Sequence, residues 1–248
     1  PHPLLSLALH LWNTKPVGWL GIVPGPVMAG SEILNITVRG KGGHGAAPQQ
    51  TADPVLAAAQ IISALQSIVS RNVDPLEQAV ISITWMRAGE AHNIIPEEVL
   101  LTGTIRTSDP DKREELAKAL DQIAEGVART CGGTSHLKVK MEYPSVFNHP
   151  ELSAEFKSSS ARILPTDKVI DLQSPSMTGE DVAYFHQKVP GVHWLLGSAN
   201  PAMGFTHPLH SPFFNFNEGV MPLGAALHVA CAMDFLKNRQ ERALCSDE

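Results

Sequence analysis

The 248-residue sequence predicts an α/β protein in which a complete ferredoxin-like βαββαβ module interrupts an α/β layer domain of which only a part is present. Two observations carry that expectation. Over residues 31–143, alternating apolar strands and capped helices follow one another in βαββαβ order. The flanking segments 1–30 and 144–248 hold fewer convincing strands than a whole doubly wound domain shows.

The module can be justified element by element. Leu34, Ile36 and Val38 alternate with polar neighbours as a half-buried strand does, and Gly40, Gly42, Gly43 and Gly45 end it. Asp53 before Pro54 is an N-cap with proline at the first helical position, and Val55, Ala59, Ile62, Gln66 and Val69 trace the expected buried face to about Ser70. Two strands follow, with Ala79, Ile81, Ile83 and Trp85 alternating in one and Val99, Leu101, Gly103 and Ile105 in the other. Asp109-Pro110 repeats the capped start, Leu116, Leu120, Ile123 and Val127 form the stripe, and Gly132-Gly133 ends the helix. Leu137, Val139, Met141 and Tyr143 make the last strand. In the flanks, short strands are expected at Val169–Leu172 and Val192–Leu196, and helices near 151–163, 179–187 and 218–237.

Composition narrows the function. Apolar residues at 43% and charged residues at 18% exclude a disordered or collagen-like chain. The apolar run from Leu4 to Leu11 is broken by Ser6 and His10 and falls well short of the roughly 20 residues a membrane span needs, so no membrane association is expected. A net charge of −6 with scattered basic residues argues against nucleic acid as a partner. Cys131, Cys231 and Cys245 are too few for a disulfide framework, which points to a reducing, cytoplasmic setting. Asn35-Ile36-Thr37 matches a glycosylation sequon but falls inside a predicted strand. The chain starts on Pro1 rather than Met, without a basic cleavable leader, and reads as beginning inside a larger protein.

Several side chains could carry chemistry. Gly40-Lys41-Gly42-Gly43-His44-Gly45 satisfies the dinucleotide pattern G-x-G-x-x-G after a strand, but the next helix starts only at Asp53-Pro54 and no ribose-binding carboxylate follows near residue 65. His44 on that loop is either a ligand-facing imidazole or a loop histidine satisfied by local backbone. His10, in an apolar run, is either a ligand or a hydrogen-bonded core histidine. His207 and His210 share a proline-braced loop in which Pro208 prevents a helical His-x-x-His face. Arg106 and Asn93 could grip a substrate carboxylate, or serve as a surface ion pair and a turn residue. Glu180-Asp181 reads as first-turn acid at a helix N-terminus or as catalytic carboxylate.

In order along the chain, Ala8-Leu9-His10-Leu11, the Gly40–Pro48 loop, Ala91-His92-Asn93-Ile94-Ile95-Pro96, Gly103-Thr104-Ile105-Arg106, Met177-Thr178-Gly179-Glu180-Asp181 and Leu209-His210-Ser211-Pro212 resemble the M20 metallopeptidase and amidohydrolase family. The likeness is greatest to its N-acyl-amino-acid amidohydrolases, and it extends to about Lys237. The resemblance implies a zinc-peptidase-like α/β catalytic domain interrupted by a ferredoxin-like lid through which the protein forms homodimers. It also implies two divalent metal ions, zinc first, with manganese, cobalt or nickel as alternatives, and an N-acyl amino acid or small peptide as substrate. Residue by residue, it implies that His10 and His210 are metal ligands, that His44 polarises the scissile carbonyl in the partner subunit's site, and that Asn93 and Arg106 hold the substrate. Family members of this kind carry an upstream His-x-Cys-Gly-His and a Glu-Glu pair that supply further ligands and the general base, and neither motif occurs here. The chain by itself is therefore expected not to complete the reaction, and the alternative is a non-catalytic dimerisation module.

Overall fold

A computed structural model describes residues 3–245, so the Pro1-His2 start lies outside the described residues. In chain order the elements are β1 (Ser6–Pro16), β2 (Leu20–Ile22), β3 (Gly25–Met28), β4 (Gly30–Arg39), β5 (Gly43–His44), α1 (Pro54–Ser67), β6 (Ala79–Ala88), β7 (Ile94–Ile95), β8 (Glu98–Thr107) and α2 (Pro110–Thr130). They continue as β9 (Thr134–Tyr143), β10 (Val146–Asn148), α3 (Pro150–Ser160), β11 (Val169–Asp171), α4 (Val182–His186), β12 (Gly191–Ala199) and α5 (Val220–Cys245). Two compact units result: Ala29–Ser145 together with Met177–Glu180, and a second unit formed by the chain up to Met28, by Val146–Ser176 and by the chain from Asp181 onward.

In the Ala29–Ser145 unit, four antiparallel strands pair in the order β6-β8-β4-β9. Register places Ile36 between Leu101 and Leu137, and Leu34 between Gly103 and Val139. One face of the sheet, with Leu34, Ile36, Val38, Val99, Leu101 and Ile105, packs with Ile61 and Leu65 of α1 and Leu116 and Leu120 of α2 into a single core. Each fully buried aliphatic side chain there contributes about 1.5–3 kcal/mol. Both helices start where the caps predict. Asp53 Oδ1 accepts the N–H groups of Val55 and Leu56 at 2.8 and 3.3 Å, and Asp109 Oδ1 those of Asp111 and Lys112 at the same two distances.

Two local expectations are corrected. The core face of α1 is Ala57, Ala58, Ile61 and Leu65, while Ala59 and Gln66 are exposed. Apolar residues run almost all round this helix, so periodicity does not set its phase, and the helix turns its small Ala57-Ala58 pair into the core. Trp85 leaves the inward row of β6, because the register slips between Ile83 and Trp85, and it ends 49% exposed.

The second unit holds a sheet of order β1-β12-β2-β11, with β1 parallel to β12 and β12 antiparallel to β2, and a separate β3–β10 ladder. Trp194, fully buried, lies between Phe156 at 4.2 Å and His228 at 4.6 Å between ring centroids. Asp234 of α5 bonds Arg162 and Ser159, tying α5 to the end of α3. The strands β2, β3 and β10, of three or four residues, are too short to show a period and were not expected. Over Val220–Gln240, α5 is long and apolar enough to cross a membrane by length and composition, which the reading of the sequence did not anticipate. Its Val220, Leu227 and Cys231 face the core with Trp194, and Gly224 faces Leu9 and Leu196.

Candidate functional site

The glycine loop is built for contact with its own chain. A Cβ at Gly40 would stand 1.9 Å from the Ala52 carbonyl oxygen, and one at Gly42 would stand 2.7 Å from that of Ile95. The backbones meet there. Lys41 and Ala52 exchange two hydrogen bonds, Gly40 N–H donates to Glu97 O at 2.9 Å, and Gly45 N–H donates to Asn93 O at 2.9 Å. The glycines therefore serve close backbone approach rather than a phosphate. Between them β5 pairs with β7, His44 opposite Ile94, which brings the His44 and Asn93 loops together. Both side chains are exposed.

His44 has a defined tautomer. The Ala46 N–H donates to its Nδ1 at 3.0 Å, so the neutral ring carries its proton on Nε2. Arg106, on β8 opposite Ser31 and Val80, donates from Nη1 to the Met177 carbonyl at 3.0 Å. The Met177–Glu180 segment also passes close to β4 and β9, since a Cβ on Gly179 would meet Tyr143, Ala29 and Ser31 at 3.4–3.5 Å. Asp181 sits at the N-cap of α4 without a side-chain capping bond, and no acidic residue falls in the first turn of that helix, so Glu180-Asp181 does not serve as first-turn acid.

In the second unit the tautomer at His10 is reversed. Its Nδ1 lies 2.7 Å from the Leu11 carbonyl, which can only accept, so Nδ1 carries the proton and Nε2 the lone pair. That arrangement, with one ring N–H on a backbone carbonyl, suits an imidazole that ligates a metal through the other nitrogen. His210 lies in a turn closed by Ser211 N–H to Pro208 O at 3.2 Å. Its φ of +65° makes it the one non-glycine residue in the left-handed region among the described residues. That conformation costs on the order of 1–2 kcal/mol and must be held by its surroundings. Among the described residues no group of three or more His, Cys, Asp and Glu side chains gathers as a metal site.

Nothing in the reading of the sequence singled out Asn13, whose side chain organises this region. It is 2% exposed, and Nδ2 donates to both His207 O (2.8 Å) and Asn215 O (3.0 Å), while Oδ1 accepts from Ser198 Oγ (3.1 Å). An amide just after the apolar run that carries His10 was the available signal.

Residues 30–130 match the M20_dimer model, described as a peptidase dimerisation domain. Residues 30–130 thus carry an M20-type peptidase dimerisation domain. It is 39% identical over 234 residues to N-acetyldiaminopimelate deacetylase of Enterococcus faecalis, a match covering 93% of this chain and 58% of that protein. It is 35% identical over 228 residues to thermostable carboxypeptidase 2 of Saccharolobus solfataricus, covering 92% and 57% respectively. Among solved structures, the YXEP protein of Bacillus subtilis, described as a dinuclear metal binding peptidase from the M20 family, matches with a TM-score of 0.77 and 28% identity over 94% of this chain and 58% of that one. The chain thus spans between half and two thirds of the length of these relatives.

Proposed function

We propose that the chain forms the lid and part of the catalytic domain of a two-metal M20 amidohydrolase that cleaves the amide bond of N-acyl amino acids or small peptides. The observation that carries this reading is the pair of opposed tautomers, a lone pair on Nε2 at His10 and a proton on Nε2 at His44. One imidazole is set to ligate and the other to donate. His10 and His210 hold the metal ions, which when bound supply a Lewis acid and an activated water.

This chain's own residues do the rest of what is proposed for it. His44 Nε2–H donates to the carbonyl oxygen of the scissile amide as negative charge develops there, acting in the partner subunit's site. Arg106 keeps one N–H on the Met177 carbonyl and offers the remainder of its five-donor fork to the substrate carboxylate. Asn93, joined to the His44 loop through Gly45, orients the acyl amide. The strand order β6-β8-β4-β9, with α1 and α2 on one face, supports a ferredoxin-like lid. Homodimerisation through that lid is supported by the match to a dimerisation domain and by the edge position of β6, which displays Trp85 and Met86.

The test joins this chain to the His-x-Cys-Gly-His and Glu-Glu segment of a relative and assays N-acetyl amino acids with Zn²⁺, Mn²⁺ or Co²⁺. Turnover abolished by His210→Ala is the expected result, and turnover indifferent to that change overturns the reading. A second reading, a non-catalytic dimerisation module, is favoured by the lack of a three-donor metal cluster among the described residues. Stoichiometric, tight metal on the purified chain rejects it.

A further inference from the structure

We propose that Asn13 is a positioning residue for His210, setting the geometry of that imidazole from the strand that carries His10. This rests on the reading of His210 as a metal ligand.

The argument starts from the turn. His210 occupies the third position of the Pro208–Ser211 turn at φ +65°, a position that glycine or asparagine usually fills. Histidine reaches that backbone more often than most side chains but still at a cost, so the flanking chain must hold it there. Asn13 is the group that does so. Its two Nδ2 hydrogens take the carbonyls of His207 and Asn215, three residues before and five residues after His210, and so bracket the turn from both sides. Its Oδ1 is in turn held by Ser198 Oγ, and the Ser198 carbonyl accepts Asn217 N–H at 3.1 Å. Ser198 is fully buried.

The origin of this bracket lies in strand register. β1 and β12 pair regularly to Trp12 and Gly197, and the next pair, Pro16 with Ala199, is out of step. Asn13 and Ser198 therefore stand at the start of the irregular stretch, where a bulge redirects side chains. Asn13 stands three positions after His10 on the same strand, so one element fixes both imidazoles. A carboxamide is required, because only it presents two donors and one acceptor on a short stem. An aspartate of the same shape would set acceptor against acceptor at His207 and Asn215.

The experiment measures Co²⁺ binding, by its visible absorption, to the chain joined to the upstream segment of a relative as above, alongside limited proteolysis of the 207–215 loop. Asn13→Asp is expected to weaken Co²⁺ binding at least tenfold, the usual cost of losing a group that orients a metal ligand, and to speed cleavage within 207–215. In a His210→Ala background Asn13→Asp should cause no further loss of affinity. Ser198→Ala, a milder change that leaves the two carbonyl bonds in place, should weaken binding several-fold and keeps the test available if Asn13→Asp does not fold. Wild-type affinity in Asn13→Asp, or equal losses with and without His210, overturns the proposal while leaving the metal reading intact. A chain whose Co²⁺ uptake is absent, or indifferent to His210→Ala, overturns the metal reading and this proposal with it.

Discussion

The Ala46 amide donates to Nδ1 of His44 at 3.0 Å, so the exposed edge of the imidazole is a donor rather than an acceptor. Ring ¹⁵N NMR of the neutral chain should find the proton of His44 on Nε2. In the complete enzyme His44→Ala should lower kcat/KM for amide hydrolysis by about 10²–10³, the loss typical of one oxyanion donor. Stability should move by less than about 0.5 kcal/mol, because the side chain is exposed. Unaltered kcat/KM would remove His44 from the reaction.

Arg106 reaches the Met177 carbonyl with a single N–H, which leaves its fork for a carboxylate. Arg106→Lys keeps the charge and loses the planar, two-point contact. KM for an N-acyl amino acid should rise about tenfold, equivalent to about 1.4 kcal/mol. The matching N-acyl amino amide, which lacks the carboxylate, should show no such rise, and an equal rise for both substrates would assign Arg106 a structural role.

Gly40 faces the Ala52 carbonyl so closely that an added Cβ would stand 1.9 Å from its oxygen, whereas a Cβ at Gly126, inside α2, meets nothing within 4 Å. Gly40→Ala should cost about 1–3 kcal/mol by forcing the loop off residues 51–52. Gly126→Ala should stabilise by about 0.5–1 kcal/mol. Urea denaturation midpoints of the two variants should therefore shift in opposite directions.

His193, 2% exposed on β12, has neither ring nitrogen hydrogen-bonded. Burial, reinforced by the neighbouring His10 and His186, holds its pKa down to about 3. The unfolded chain titrates near 6.5, so between that pH and about 3 the unfolded state binds the extra proton. Stability is then complete above pH 6.5 and falls with acidification by up to about 1.4 kcal/mol per pH unit. His186, its pKa also lowered by burial, adds to the same trend. In His193→Phe the dependence of the denaturation midpoint on pH between 4 and 6.5 should flatten, and an unchanged slope would show that other groups cause it.

What was legible in the sequence was local. Asp53-Pro54 and Asp109-Pro110 announce their helices because a cap bonds N–H groups two and three residues away. The strands of 31–143 show their inward rows until a bulge intervenes at Trp85, and α1 hides its phase because its sequence is apolar nearly all round. Among the candidate site residues, the sequence marked which side chains to watch and left open whether each was functional. It did not show that the strand of His44 pairs with the one that follows Asn93, nor that an unremarked Asn13 governs the His210 turn.

The sequence by itself determined the capped helices, the alternating strands and the ordered motifs that resemble the M20 family, since each depends on near neighbours or on residue identity. Tertiary structure alone decided the chemical state offered by each imidazole and the shape of the loop that presents His210. The physical reason is that a hydrogen-bonding group has only the character its partner leaves it, and Asn13 finds His207 across 194 residues of chain. No pattern of neighbouring residues encodes such a pairing; it exists once β1 and β12 lie side by side.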